Sequence, residues 1–267
     1  MTKNFDKITK KVANMYKKYP YPSPSTEVNQ TNELLNLLRI FELESNIQLK
    51  NKKFLDAGSG SGHRIVNVAQ HYKNCNFLGI DISDTSLKIS QTIKNKNNLK
   101  NIQFKKYNLM NPTFNLGKFD FILSMGVLHH LSNPNKGLEN ILKVLKKDGM
   151  IFVYLYGKLG GHKRILNKKL LSLLLNKKKS DYDLGIKLVR DLDMNKFEYG
   201  WNLNFKNKEE EDSLIVDSLL HANEKLYDFN DIHKLFKNSD LFGYSIFGIS
   251  TGTQGFLFDS SINKEKK

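Results

Sequence analysis

The spacing of hydrophobic positions changes character twice along this chain. In residues 4–18, Phe5, Ile8, Val12, Met15 and Tyr16 recur at three- and four-residue steps, which predicts a short helix with one apolar face. The run Tyr19-Pro20-Tyr21-Pro22-Ser23-Pro24 ends it, because a residue before proline is pushed out of the α region. Leu34, Leu35, Leu37, Leu38, Phe41 and Leu43 predict a second helix. From Lys52 the apolar residues come in short runs. Residues 54–56, 76–81, 102–104, 119–123 and 150–155 predict five strands. Helical stretches over 63–72, about 84–96 and 138–145 fall among them. Such alternation predicts an α/β fold, with helices on both faces of a mostly parallel sheet and the binding loops on one edge.

The rhythm breaks at residue 159. Gly160-Gly161 opens a lysine-rich helical region, the acidic run Glu209-Glu210-Glu211-Asp212 follows, and helical spacing resumes at Leu214. We expect a helical cap inserted between the fifth strand and the end of the core. Ile232, Leu235 and Phe236 predict a later helix, and residues 244–247 and 255–258 an antiparallel C-terminal hairpin. The expected organisation is an N-terminal helix and Tyr/Pro lid over 1–30, a core over 31–158, the cap over 159–225, a helix and hairpin completing the core over 226–262, and a tail over 263–267.

Charge changes this picture less than its size suggests. The 267 residues carry a formal charge of +15, which invites a nucleic-acid reading. Yet only Arg39, Arg64, Arg164 and Arg190 among the 42 basic residues are arginine. Nucleic-acid readers favour arginine for its planar fork. A lysine bias beside abundant Asn and Ile reads as drift in a coding sequence poor in G and C, so nucleic acid is a disfavoured partner. No apolar run is long enough to span a membrane, and the N-terminus lacks a secretory signal's apolar stretch. Cys75 stands alone, which leaves neither a disulfide framework nor a thiolate metal cluster within one chain. The expectation is a cytoplasmic protein without a metal.

The candidate chemistry starts at Phe54-Leu55-Asp56-Ala57-Gly58-Ser59-Gly60-Ser61-Gly62, a strand ending in an acid, then glycine at every second position. Glycine lets backbone approach a ligand closely and take positive φ. The spacing differs from the G-x-G-x-x-G of dinucleotide sites, and Asp56 would repel a diphosphate. An acid there suits a ligand bearing an amine or a sulfonium. Asp81, at the tip of the second strand, offers two acceptor oxygens to ribose hydroxyls.

Taken together, LDAGSGSG, GIDIS and FILSMGVLHHLSNPNKGLENILKVLKKDG resemble the successive motifs of class I S-adenosylmethionine-dependent methyltransferases, over roughly residues 51–156. The resemblance implies a Rossmann-like fold with S-adenosyl-L-methionine as cofactor. It implies that Asp56, Ala57, Gly58, Ser59 and Gly60 line the methionine and ribose end, that Asp81 and Ile82 hold the ribose and one adenine face, and that Asn108 and Leu109 sit at the adenine. The family usually has Asp where this chain has Asn108, and an amide carbonyl can still accept from the adenine amino group. Met125 would pass beneath the cofactor, and Tyr19, with Tyr16 and Tyr21, would fold over it from the Tyr/Pro segment. That segment, Tyr156-Gly157 and a later Asp217-Ser218-Leu219-Leu220-His221 also resemble a bacterial subgroup of these enzymes.

Methyl transfer asks the protein to align donor and acceptor, strip water and sometimes remove a proton. His129, His130 and Tyr156 are the candidate catalytic residues; Tyr154, His162 and His221 are expected on the acceptor side. Cys75 opens a strand away from the binding edge, and the Asn-Pro-Pro-Tyr motif of planar-amine methylation is absent, which disfavours methylation of nucleic-acid bases. The expected acceptor is a small molecule. The alternatives are a protein or RNA docked on the basic surface, and a cofactor-binding module without turnover.

Overall fold

Each short apolar run becomes a strand because its residues face apolar neighbours above and below the sheet. In the computed structural model, which describes residues 5–112, 114–159, 161–176, 181–194, 205–237, 239 and 241–244, β1 is Lys53–Ala57, β2 Asn76–Asp81, β3 Ile102–Lys106, β4 Phe119–Met125 and β5 Leu145–Tyr154. They form one sheet in the order β3-β2-β1-β4-β5, and every pairing is parallel. Neighbouring residues of one strand serve opposite cores. Phe54 and Phe121 stack on one face with Phe41, while Leu55 and Ile122 meet Leu138 and Ile141 on the other.

Helices cover both faces. On the first lie α2 (Glu33–Ser45) and α3 (His63–His71), and on the second α5 (Pro134–Leu142) and α9 (Phe229–Lys237). Between β2 and β3 runs α4 (Asp84–Lys96), whose N-terminus is capped by Ser83 Oγ accepting from the Ser86 N–H at 3.2 Å. α5 starts before its apolar pattern does, because Asn133 caps it and Pro134 presets its first turn. β5 starts five residues earlier than its apolar run. Leu145 pairs with Phe119, and a register shift across the polar residues 146–149 brings Met150 opposite Phe121.

A third apolar cluster lies beyond the sheet. α1 (Lys7–Lys18) contributes Met15, and α6 (His162–Leu175), α7 (Tyr182–Asp191) and α8 (Lys208–Leu219) contribute Leu171, Ile186, Val189, Ile215 and Val216. The N-terminal helix therefore packs with the helices of the 159–225 region. The expected antiparallel hairpin at 244–258 falls, beyond Tyr244, outside the described residues; among those described the sheet is parallel throughout. No helix among them is long and apolar enough to cross a membrane.

Candidate functional site

Strand order reverses between β1 and β4, and open α/β sheets bind ligands in the crevice at that point. A cleft of about 2430 Å³ opens there and continues along β5 beneath α6 and α8. The loop after β1 forms its floor. Gly58 and Gly60 have φ of +94° and +55°, and both lie against this chain's own atoms. A Cβ on Gly58 would fall 2.4 Å from Val127 Cγ2, and one on Gly60 2.5 Å from the Tyr21 carbonyl oxygen. The glycines thus let the loop nest under β4's exit and under the Tyr/Pro segment, a reason beyond close approach to a ligand.

Asp81 organises this loop. Its Oδ2 accepts from the Gly60 N–H at 2.9 Å and its Oδ1 from the Ser83 N–H at 2.8 Å. Burial raises its pKa while those two bonds pull it down. Asp56 is different: it is buried in the cleft and makes no hydrogen bond among the described residues. Burial pushes its pKa up to about 7, against the pull of the Arg64 guanidinium, with the Asp81 charge adding to the rise. Arg64, on α3, also lines the cleft; it reaches the Met125 carbonyl at 3.4 Å and lies 6.0 Å from the centre of the Tyr21 ring. Burial drives the Tyr21 phenol up to about 12. The Tyr21 carbonyl accepts from the Ser61 N–H at 3.2 Å, which ties the Tyr/Pro segment to the glycine loop.

Of the residues the sequence nominated for the cofactor, Asp56, Gly58, Ser59, Gly60, Asp81, Ile82, Asn108, Leu109 and Met125 line this cleft. Two do not. Ala57 is buried in the core below the sheet edge. Tyr19 turns away into the helical cluster, where its hydroxyl donates to Asp183 at 2.9 Å and its ring meets Tyr182 edge-on; Tyr16 and Tyr21 take the cleft side instead. The Asn108 carbonyl is engaged locally, accepting from the Met110 N–H at 3.0 Å.

At the other end of the cleft the two adjacent histidines part company. His130 lines it; His129 does not. His129 is wholly buried, stacks on Tyr156 with ring centres 4.1 Å apart, and has no hydrogen-bond partner on either nitrogen among the described residues. Burial, with His130, Arg164 and Lys168 adding to it, lowers its pKa to about 2. That places His129 in the packing under Tyr156, away from where an acceptor could reach it. Tyr154, Tyr156 and His162 line the cleft, and the Arg164 guanidinium lies 4.6 Å from the centre of the Tyr156 ring.

His130 belongs to a cluster that sequence spacing could not reveal. The segment after α8 is stitched onto the core: the Lys225 N–H donates to the His129 carbonyl, and the Tyr227 N–H to that of Tyr156. His221 is thereby laid flat on His130, with ring centres 3.5 Å apart. Tyr16 donates to Asp217 Oδ1 at 2.7 Å and lies 3.1 Å from His221 Nε2. Arg64, Arg164, Asp217 and Asn223 were not nominated as site residues, and Tyr16 was expected over the cofactor rather than bonded to Asp217. For the arginines a signal existed: in a chain that otherwise uses lysine, Arg64 and Arg164 stand at the cleft.

A parallel sheet with a glycine loop at its reversal point and carboxylates ending β1 and β2 defines a Rossmann-like ligand-binding core. The match to known proteins agrees. The family described as "Methyltransferase domain" covers residues 48–211, and the chain belongs to that family. It is similar to an uncharacterised protein of Synechococcus sp., 26% identical over 203 residues that make up 73% of this chain and 48% of the other. It is also similar to the ubiquinone biosynthesis O-methyltransferase of Coxiella burnetii, 28% identical over 119 residues, 45% of this chain and 50% of that one. Among solved structures it resembles PKMT2 from Rickettsia typhi in complex with AdoHcy, with a TM-score of 0.54 and 24% identity, covering 72% of this chain and 39% of that chain. The chain thus spans about half the length, or less, of these relatives.

Proposed function

We propose that the protein transfers a methyl group from S-adenosyl-L-methionine to a small acceptor held in the cleft beneath the helices of residues 159–225. The observation that carries this is Asp56: a buried carboxylate without a hydrogen-bond partner among the described residues, at the strand-order reversal, complements a cationic ligand. The residues fit the cofactor. Asp81 keeps spare lone pairs on both oxygens for ribose hydroxyls, and Ile82 and Leu109 offer apolar surface to a base. Arg64 supplies a half-buried cation for a ligand carboxylate, beside the Asp56 that would face an amine or sulfonium. When bound, S-adenosylmethionine supplies an activated methyl on a good leaving group. This chain's part is to orient that methyl, exclude water and receive a proton. His130 and Tyr156 are the groups placed to act on the acceptor, and Tyr16 and Tyr21 close the cleft from the N-terminal segment.

Calorimetric titration with S-adenosylmethionine, S-adenosylhomocysteine and NAD tests the reading, with Asp81→Ala as control. Micromolar binding of the first two, lost in the variant, is expected. A preference for NAD, or no binding of either sulfur compound, would overturn it.

A further inference from the structure

One residue fixes the protonation pattern of the whole acceptor-side cluster. The backbone N–H of Asn223 donates to His221 Nδ1 at 3.0 Å, so that nitrogen carries a lone pair and the ring proton is on Nε2. That Nε2–H points at the Tyr16 oxygen, 3.1 Å away, and the Tyr16 hydroxyl passes its own proton toward Asp217 Oδ1 at 2.7 Å. The backbone carbonyl of the same Asn223 lies 2.8 Å from His130 Nδ1, so His130 carries its proton there and keeps a lone pair on Nε2. The two stacked imidazoles are therefore opposite tautomers. The Asn223 side chain locks the arrangement by donating to the His130 and Leu131 carbonyls, each at 3.1 Å.

An inventory of what remains follows directly. The donors of His221 and Tyr16 are spent within the chain of hydrogen bonds. What stays open is the His130 Nε2 lone pair and the second oxygen of Asp217, which accepts no hydrogen bond among the described residues. Of the nearby cations, Arg164 is held by Glu224 and the Ser218 carbonyl, Lys168 lies 3.2 Å from Glu224, and Arg64 is the one assigned above to the cofactor's carboxylate. A ring nitrogen of His130 and an oxygen of Asp217 lie within 4.8 Å of one another. The acceptors of two N–H hydrogen bonds of ordinary length from one tetrahedral nitrogen lie about 4.7 Å apart.

We propose that the group methylated here is an amine, held between two facing hydrogen-bond acceptors, the open ring nitrogen of His130 and the open oxygen of Asp217. This rests on the methyltransferase reading above. An acceptor carboxylate at that spot would be repelled by Asp217, and a hydroxyl has one hydrogen for two acceptors. An amine has enough for both. In the reaction an arriving ammonium gives one proton to His130 Nε2. The freed lone pair forms the N–C bond as the S–C bond breaks, and sulfur keeps that bond's electron pair. The methylated ammonium stays paired with Asp217 until release, and His130 returns its proton to solvent.

The same three side chains, His130, Asp217 and His221, resemble a two-histidine, one-carboxylate metal site. The hydrogen-bond directions decide against it. A neutral histidine bound to a metal through Nε2 needs a proton on Nδ1, and His221 Nδ1 faces the Asn223 N–H.

The test uses the full chain saturated with S-adenosylhomocysteine, titrated with hexylamine, 1-hexanol and hexanoate. Hexylamine is expected to bind at least about tenfold more tightly than hexanol, the worth of one charge-assisted hydrogen bond. Asp217→Asn should abolish that preference while leaving S-adenosylhomocysteine affinity unchanged. Tyr16→Phe, which keeps the Asp217 charge, should preserve it. Ring-nitrogen NMR should show His130 protonated at Nδ1 and His221 at Nε2. Equal binding of hexanol or hexanoate, reversed tautomers, or zinc binding that is lost in His130→Ala would overturn the proposal. Failure of S-adenosylhomocysteine to bind the wild-type chain would instead overturn the underlying methyltransferase reading.

Discussion

His130 and His221 lie face to face, 15° from parallel with ring centres 3.5 Å apart, although 90 residues separate them and neither belongs to an element of the sheet. Two stacked imidazoles would repel if both were charged, so the pair is stable with both rings neutral. Burial lowers both pKa values, and their mutual repulsion adds to the drop for His221. The hydroxyl of Tyr16 joins this pair to Asp217. Tyr16→Phe leaves the His221 Nε2–H without its acceptor, and should cost about 1–3 kcal/mol in urea unfolding.

Asp56 should register cofactor binding as a proton. With its pKa near 7, the carboxylate is partly protonated in the free protein at neutral pH. A cation placed against it favours the charged form and expels that proton. Binding enthalpies for S-adenosylmethionine measured at pH 7 in buffers of different ionisation enthalpy should therefore diverge. In Asp56→Asn they should coincide, with affinity reduced about tenfold or more.

The same residue sets one slope of the stability profile. A carboxyl raised from its ordinary 3.8 to about 7 binds more protons folded than unfolded. Its contribution is full below pH 4 and is lost as pH rises to 7. Asp56→Asn should flatten that slope in urea titrations of the free protein between pH 4 and 8.

Buried histidines set the opposite slope. His63 is lowered to about 4 and His129 to about 2, mainly by burial, so the unfolded chain takes up protons first as pH falls below 6.5. Stability they confer is present above that pH and drains away toward pH 4 and below. His129→Leu removes a buried ring with no hydrogen-bond partner among the described residues. It should raise stability at pH 5 by about 1–3 kcal/mol, with a smaller gain at pH 8.

Gly58→Ala should be severely destabilising, because its Cβ would strike Val127 and its φ of +94° disfavours any side chain. Adding Val127→Ala should restore the part due to the clash and leave the part due to φ. Urea midpoints of the single and double variants measure the two separately.

The sequence by itself determined the sheet, the glycine loop and the carboxylates at its edge. These are local matters. A strand needs only a short apolar run bounded by turns, and Asp56 and Asp81 are placed by being the last polar residues of such runs. The start of β5 escaped because residues 145–149 are mostly charged and pair only through a register shift. Tyr19 misled for a related reason: in a proline-rich segment three tyrosines lie close together, and which of them faces the cleft depends on Asp183, over 160 residues away. Only the tertiary structure could decide which groups meet at the far end of the cleft. The His130–His221 pair, the Tyr16–Asp217 bond and the tautomers set by Asn223 join α1, the loop after β4 and the segment after α8. Such contacts arise from packing one element on another, and no periodicity in the chain records which of them will meet.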